Sequence, residues 1–375
     1  MPLLFYANPE IDADLLYFGG FLAPDPFLAL GVGNRKIAVL SPLELGRGRR
    51  ESAFTEILSL TEVRSGAAKR YKTRKPTPVQ IIRHLLALYQ VKEVSVSETF
   101  PAFLALELKK ARVNVKIKEG AFLPARERKS EAEAAAIREG NAASAAGFDL
   151  LKNILSESRI TRKGTLNWKG KPLTSERCQI EIEKALLERG ARSLHTIVAG
   201  GDQACDPHER GRGPLRAHQL IIADIFPRVI ASGYHGDMTR TFLKGTPSDE
   251  QVRLVQTVKA AHDAALKTAR SGISGSKVHA AVTHVFDKAD YPTRQTENGY
   301  EGFFHSTGHG LGLDVHEPPR VGPGTPRLKK QAVVTIEPGL YYPGLGGCRI
   351  EDVIRLQPNR YELLSNYPYD WILPP

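Results

Sequence analysis

Three apolar segments in the C-terminal half of the chain each carry an acidic residue. Runs of this length and composition are typical of buried β-strands. An ionised carboxylate is strongly destabilised in such a run unless a partner compensates its charge. The fold must therefore supply that compensation for LIIADIF with Asp224, AVVTIEPG with Glu337 and CRIEDVIRL with Glu351.

Two further residues in the same part of the sequence extend this pattern. Asp237 lies in GYHGDMTRTF, and His309 lies in HSTGHGLG, where its flanking glycines are expected to leave room for an ion. Four converging carboxylates repel one another by roughly 4 kcal/mol per pair at 4 Å and an effective dielectric of about 20. Two divalent cations offset most of that charge, and carboxylate with imidazole suits Mn, Co, Fe or Zn. The sequence therefore predicts a dinuclear metal site.

Taken singly, these residues also have structural explanations. Asp237 can cap a turn before Thr239, and a histidine in a glycine-rich loop is often structural. Arg349 and Glu351 alternate on one predicted strand, so they face one side and can form a salt bridge. Only the joint occurrence of all five acidic and imidazole groups favours the metal site.

Asp224 and Asp237 are predicted to lie on one β-hairpin, with Ser232 and Gly233 near its turn. On paired antiparallel strands, two carboxylates can face the same side of a sheet. Gly236 is expected to permit close approach of the backbone or of a ligand.

The length and composition allow two domains and a sizeable core. The chain has 375 residues, 41% of them hydrophobic, and no apolar run of transmembrane length. Its net charge of +11 raises the hypothesis of nucleic-acid binding. Part of that charge lies in residues 64–75, which are predicted to be a solvated loop leading into a helix. No recognisable nucleic-acid motif accompanies it, so a solvated basic surface is favoured and no nucleic-acid or membrane partner is expected.

The cysteines and the N-terminal sequence bear on the cellular compartment. Cys178, Cys205 and Cys348 are far apart and odd in number, which predicts free buried thiols. The first residues lack a basic region and a cleavage site typical of a secretory signal. These features together predict a cytoplasmic protein.

Residues 1–124 are predicted to form a small α/β domain and residues 125–375 a second domain. In the first, the strand-like runs KIAVLSP, VKEVSVS and VNVKIKEG alternate with the helical patterns TPVQIIRHLLALYQ and AFLALELKKAR. The second contains four helical patterns, one of which has Thr174 or Ser175 as N-cap and Gly190 as C-cap.

The five residues of the predicted metal site, in this order, resemble those of the pita-bread metallopeptidases, which include aminopeptidase P, prolidase and methionine aminopeptidase. The similarity extends to TIVAGGDQACDPHERGRGPLRAHQLIIAD, HSTGHGLGLDVHEPP, VVTIEPGLYY and GCRIEDVIRL. It implies an α+β protein with a C-terminal pita-bread (creatinase/aminopeptidase-like) domain and a smaller creatinase N-terminal-like α/β domain. The N-terminal domain and the sequence motifs VHEPP and RIED favour the aminopeptidase P or prolidase branch.

The resemblance implies a dinuclear-metal hydrolase that cleaves the Xaa-Pro bond at the N-terminus of peptides or in dipeptides, by a metal-bridging hydroxide. Asp237 and Glu351 would bridge two divalent metals, with Asp224 completing one site and His309 with Glu337 the other. Manganese is the expected metal, with Co, Zn or Fe as alternatives. Relatives are commonly dimers, so a homodimer is implied.

Further roles follow from the same resemblance. Glu337 would take the proton from the attacking water and return it to the leaving proline nitrogen. Arg349 would orient the bridging acids from outside the ligand set. His316 and His208 would hydrogen-bond the substrate carbonyl. His305 and Tyr234 would belong to the pocket wall, and Arg320 would bind a substrate carboxylate.

One departure from the family and two alternatives remain open. Asp224 and Asp237 lie thirteen positions apart, two more than is usual in the family. An even insertion lengthens each arm of the hairpin by one residue and keeps the same residues paired. The alternatives are a non-catalytic pita-bread module that recognises protein or nucleic acid, and a metal-free hydrolase of the creatinase type. The complete ligand set disfavours both.

Overall fold

The computed structural model describes residues 1–297 and 299–375. The chain divides into two compact units, Met1–Arg126 and Glu127–Pro375. Among the described residues, none of the helices combines the length and hydropathy that a membrane span requires. The three cysteines are free thiols as predicted; Cys178 and Cys348 are buried, whereas Cys205 is only partly buried.

The first unit contains a six-stranded sheet packed against helices. Its strands are β1 (Leu3–Ala7), β2 (Phe27–Val32), β3 (Arg35–Leu40), β4 (Glu56–Ser59), β5 (Glu93–Ser97) and β6 (Asn114–Lys118). Its helices are α1 (Ala13–Gly19), α2 (Leu45–Glu51), α3 (Leu60–Arg70), α4 (Pro78–Leu88) and α5 (Ala102–Lys110). The strand order is β4-β3-β2-β1-β5-β6. Strand β2 is antiparallel to both neighbours, and the other pairs are parallel.

The predicted strands and helices of the first unit are confirmed by β3, β5, β6, α4 and α5. Helix α4 begins at a capping box in which Thr77 and Gln80 exchange hydrogen bonds, with Pro78 at the first helical position. The prediction that residues 64–75 form a loop is wrong for the first part of that segment, because α3 extends to Arg70. Val63 and Ala67, one turn apart, are buried and hold this helix against the core.

The second unit contains four long helices, as the sequence predicts. They are α6 (Glu131–Glu157), α7 (Ser175–Glu188), α8 (Asp249–Thr268) and α9 (Gly275–Lys288). Capping boxes start α6 at Ser130 and α8 at Ser248. Thr174 is the N-cap of α7, and Gly190, with a φ of 68°, lies one position after the C-cap residue.

The strands of the second unit are β7 (Arg159–Ile160), β8 (Leu166–Trp168), β9 (Lys171–Pro172), β10 (Ala191–Arg192), β11 (Ile197–Gly200), β12 (Leu220–Ile225), β13 (Arg228–Val229), β14 (Met238–Lys244), β15 (Arg294–Thr296), β16 (Gly299–Glu301), β17 (Gly308–Gly310), β18 (Glu317–Val321), β19 (Val333–Ile336), β20 (Gly339–Tyr342), β21 (Gly346–Arg349), β22 (Asp352–Leu356), β23 (Tyr361–Leu363) and β24 (Ile372–Leu373). The two larger sheets have the orders β11-β12-β14-β24 and β18-β17-β19-β22-β23. Apolar residues of α6 and α7 pack with the first sheet, and those of α8 and α9 pack with the second.

Candidate active site

A long β-hairpin carries the first two acids. Strands β12 and β14 pair antiparallel, with Asp224 opposite Thr239. Asp237 precedes Thr239 by two positions, so both aspartates lie on one face of the hairpin. The same register continues to the pair Arg228 and His235 and ends at a loop over residues 230–233. The predicted hairpin and its turn are therefore confirmed.

Helix α6 fixes the position of Asp237. The side-chain oxygen of Asn141 accepts a hydrogen bond of 2.8 Å from the Asp237 backbone N–H. Gly140 and Gly236 meet backbone to backbone: a Cβ on Gly236 would lie 2.2 Å from the carbonyl carbon of Gly140. Gly236 thus permits the close backbone approach that the sequence predicts.

A second long hairpin carries the two glutamates. Strands β19 and β22 pair through Ile336 and Asp352, and β20 and β21 pair in the same register through Gly339 and Arg349. The ladder is interrupted between these pairs, where Glu337 and Glu351 lie opposite each other. Pro338 has no N–H to offer to the ladder, which accounts for the break. The two hairpins meet where the Glu351 N–H donates to the carbonyl of Thr239 at 3.1 Å.

Strand β17 holds His309 beside the glutamates. The His309 N–H donates a hydrogen bond of 3.0 Å to the hydroxyl of Thr335. A Cβ on Gly308 would lie 1.9 Å from the carbonyl oxygen of Thr335, and one on Gly310 would lie 2.4 Å from that of Pro318. Both flanking glycines are therefore required because neighbouring backbone leaves no space for a Cβ atom. The sequence suggested a different reason, namely that the glycines leave room for an ion.

The structure brings all five predicted ligands together. Ligand atoms of Asp237, His309 and Glu351 all lie within 4.8 Å of one another. The Nε2 atom of His309 is 3.4 Å from Oε1 of Glu337 and 3.7 Å from Oδ2 of Asp237. The charge of Asp224 acts on His309, Asp237 and both glutamates, which places it in the same cluster.

Burial and mutual repulsion make the ionised cluster unfavourable without a counter-charge. Burial raises the pKa of the Glu337 carboxyl to about 7, although the guanidinium of Arg349 acts in the opposite direction. Burial and the charges of Asp224 and Glu337 raise the pKa of Asp237 well above its usual range. Burial and the charge of Asp237 do the same to the pKa of Glu351.

The cluster has the chemistry of a cation site. Within the described residues, the Oδ1 atom of Asp224 is buried and has no hydrogen-bond partner. An unpartnered buried carboxylate oxygen is costly, and a bound cation would satisfy it. Burial lowers the pKa of His309 to about 4, so its imidazole is neutral near pH 7, as a metal ligand must be. The residues present therefore fit divalent metal ions.

Arg349 contacts a different acid from the ones expected. Its Nη2 donates to Oδ2 of Asp224 at 2.7 Å, its Nε to the hydroxyl of Thr239 at 3.1 Å and its Nη1 to the hydroxyl of Tyr341 at 3.0 Å. Thr239 in turn donates to Oε2 of Glu351 at 2.8 Å. Arg349 thus orients Asp224 directly and reaches Glu351 only through a threonine.

The predicted histidines lie around the same cluster. The rings of His309 and His316 are in edge contact, with centroids 4.3 Å apart. His305 makes a contact of 2.9 Å with the hydroxyl of Tyr341, and burial lowers its pKa to about 3. The charge of His208, which is exposed, acts on both His305 and His316 and so places all three imidazoles in one region.

The two other predicted substrate contacts differ in their surroundings. Arg320 is exposed, and its charge adds to the lowering of the pKa of His309 by burial, so it lies near the cluster. Tyr234 donates a hydrogen bond of 2.6 Å to Glu133 of α6. Its hydroxyl is therefore engaged with a helix, and a role for Tyr234 in binding substrate stays a prediction.

A buried network behind the cluster was missed by the sequence analysis. Arg240 donates to the carbonyl oxygen of Glu351 at 2.6 Å and to Oδ1 of Asp352 at 2.9 Å, and Asp352 is 3.1 Å from His262. Burial opposes ionisation of Asp352, but the charge of Arg240 together with hydrogen bonds to His262 and Tyr369 outweighs it and holds its pKa below the usual range. The available signal was an acid, Asp352, directly after the predicted ligand Glu351 in RIED.

The sequence signature of metallopeptidase family M24 matches residues 135–358, more than half of the chain. The chain belongs to this family. A named relative, the Xaa-Pro dipeptidase of Lactobacillus helveticus, is 31% identical over 211 residues, which cover 55% of this chain and 50% of the relative. The chain spans about half the length of the first curated relatives that it matches.

Two solved structures of other proteins share the fold. The X-Pro aminopeptidase from Thermotoga maritima has a TM-score of 0.80 at 22% identity, with 99% of this chain and 97% of that chain covered. The Xaa-Pro dipeptidase from Bacillus anthracis has a TM-score of 0.81 at 21% identity, with 99% and 94% covered. The predicted α+β fold with a pita-bread domain and a smaller α/β domain is confirmed.

Proposed function

We propose that this M24 family member is a metallopeptidase that hydrolyses the Xaa-Pro bond, and that its second unit carries the catalysis. The observation that supports this most directly is the meeting of four carboxylates and one imidazole, among which a buried oxygen of Asp224 lacks a partner. The substrate class is taken from the Xaa-Pro dipeptidase that the chain resembles. A tertiary X-Pro amide has no N–H, so a dedicated enzyme is needed for it.

The proposed ligands are Asp224, Asp237, His309, Glu337 and Glu351, holding two divalent cations, with manganese as the first candidate. Such cations, when bound, would lower the pKa of a shared water and so supply the nucleophile. We also propose a homodimer. The buried, unbonded thiols support a reducing compartment such as the cytoplasm.

The chain's own residues would handle the proton and the developing charge. Glu337, at the break in its hairpin, would accept a proton at its carboxylate and deliver it to the leaving proline nitrogen. His316 and His305 have lowered pKa values because of burial, so near pH 7 each is a neutral imidazole with one donor nitrogen. We propose that His316 and His208 donate to the carbonyl oxygen as it gains charge.

A panel of peptides tests this proposal. Purified protein with added Mn²⁺ or Co²⁺ is expected to release the first residue from Xaa-Pro di- and tripeptides and to lose activity on chelation. Matched peptides with alanine in place of proline provide the control. Absence of cleavage across the Xaa-Pro panel, with bound metal verified by elemental analysis, would contradict the proposed function.

A variant of Arg320 tests whether the protein acts as a dipeptidase or as an aminopeptidase. If it binds the free carboxylate of a dipeptide, Arg320→Ala is expected to raise KM for Gly-Pro by about tenfold to a hundredfold and to leave Gly-Pro-Ala nearly unchanged. Arg327→Ala, at an exposed arginine in the same region of sequence, is the control. Equal effects on both substrates would show that Arg320 does not bind the free carboxylate of the dipeptide.

Metal affinity is expected to rise with pH. Below its pKa of about 7, the Glu337 carboxyl is protonated, and a metal must displace that proton to bind. Competition at this one group weakens Mn²⁺ binding by about tenfold between pH 8 and pH 6. Calorimetric titrations in buffers of different ionisation enthalpy measure both the affinity and the protons released. Constant affinity without proton release would refute the expectation.

A further inference from the structure

The first unit contains a cavity of about 150 Å³ that has no part in the proposed function. It is lined by Tyr6 of β1, by Phe27 and Leu28 at the start of β2, and by Val39 and Leu40 at the end of β3. Strand β2 runs against β1 and β3, so these residues meet at the edge where the parallel strands end. Crevices outside the carboxyl ends of strands are the usual ligand sites of α/β sheets.

The floor of the cavity is apolar and buried. Its strand residues Phe27, Leu28, Val39 and Leu40 are all buried, and Ile82 of α4 is only 1% exposed. A closed apolar cavity of about this volume in another protein accommodates benzene. The cavity therefore has the size and chemistry for a single aliphatic or aromatic side chain.

Two opposite charges stand at the rim of this apolar cavity. Asp25, just before β2, and Arg64, one helical turn after Leu60 on α3, both line it and are both exposed. Neither has an ion-pair partner in the described part of the chain. A third charged residue, Glu44, also lines the cavity but is paired with Arg47 at 2.8 Å. The rim thus offers one free carboxylate and one free guanidinium.

We propose that this cavity binds a free apolar L-amino acid of the size of leucine, methionine or phenylalanine. The side chain occupies the apolar floor, the α-ammonium group faces Asp25 and the α-carboxylate faces Arg64. A guanidinium can hold a carboxylate with two parallel hydrogen bonds, which gives this end of the ligand its specificity. Because the cavity has room for one side chain, a zwitterion with both charged groups attached to one carbon fits it better than a peptide does.

Calorimetric titration of the full chain tests the proposal with L-leucine and three analogues. 3-Methylbutylamine lacks the carboxylate, 4-methylpentanoate lacks the ammonium group, and glycine lacks the side chain. L-leucine is expected to bind in the micromolar to millimolar range, and each analogue at least about tenfold more weakly. Equal binding of the amine or the acid, or no heat from L-leucine at 10 mM, would overturn the proposal.

Variants locate the binding site. Arg64→Ala and Asp25→Asn are each expected to weaken L-leucine binding by about tenfold. Arg74→Ala, at an exposed arginine that does not line the cavity, should leave it unchanged. Leu60→Trp adds bulk at the cavity wall and should abolish L-leucine binding. It tests the location of the site independently of the two charge variants, in case either of those perturbs folding.

One further variant separates this site from the carboxylate cluster of the second unit. Binding of L-leucine should persist in Asp237→Asn, whether or not that variant retains peptidase activity. Loss of binding in Asp237→Asn together with normal binding in Arg64→Ala would place the amino acid at the cluster and refute the site in the first unit.

Discussion

Replacement of Asp237 by Asn is expected to lower kcat/KM for Xaa-Pro peptides by at least about a thousandfold. Asp237 supplies a ligand atom within 4.8 Å of those of His309 and Glu351, so its charge acts at the centre of the cluster. Asparagine keeps the shape but removes one negative charge, which would leave the two proposed cations under-compensated. Elemental analysis is expected to show less than the full metal content.

The control for this variant is Asp370→Asn, because the Asp370 side chain is 80% exposed and lies outside the cluster. It should retain full activity and metal content. Asp237→Asn with unchanged activity and unchanged metal stoichiometry would remove Asp237 from the ligand set and, with it, the basis of the proposed chemistry.

Replacement of Gly236 by Ala is expected to destabilise the second unit by more than about 3 kcal/mol and to abolish activity. The new methyl carbon would lie 2.2 Å from the carbonyl carbon of Gly140 and 2.4 Å from the nitrogen of Asn141. Both are backbone atoms of α6, so neither can move aside as a flexible side chain does. The hairpin must shift, and the hydrogen bond from Asp237 to Asn141 shifts with it.

Thermal unfolding followed by circular dichroism, with metal analysis of the folded fraction, measures both effects. The matched control is Gly46→Ala in α2, where the new methyl carbon would be 3.5 Å from the end of the flexible Arg50 side chain. That variant should be neutral or slightly stabilising, since alanine is the better helix former. A wild-type melting temperature for Gly236→Ala would contradict the packing described for this hairpin.

The sequence was sufficient to predict the hairpin of Asp224 and Asp237, because alternation and turn residues are local signals. The four helices of the second unit were predictable for the same reason, since α6, α7 and α8 each begin at a strong N-cap. The helix over Leu60–Arg70 was not, because its buried positions are Val63 and Ala67 in an otherwise strongly basic segment. Tertiary packing decides such a helix more than periodicity does.

Neutral residues around the cluster also escaped the sequence analysis. Asn141 lies 96 positions before Asp237 in the chain, and the hydrogen bond between them depends on α6 packing against the hairpin. Tyr341 links Arg349 to His305, yet its position in VVTIEPGLYY carries no charge to mark it. The bridging acids were expected as partners of Arg349 from the family resemblance and from its alternation with Glu351. Neither of these shows the interruption of the strand pairing at Glu351.

The two hairpins that meet at Thr239 and Glu351 have a consequence for biosynthesis. Residues 224 to 351 must all have left the ribosome before Glu351 can meet Asp224. Earlier in translation, the emerging chain presents scattered carboxylates that bind cations only weakly. Binding of the proposed metal ions should therefore be a late step in the biosynthesis of this chain.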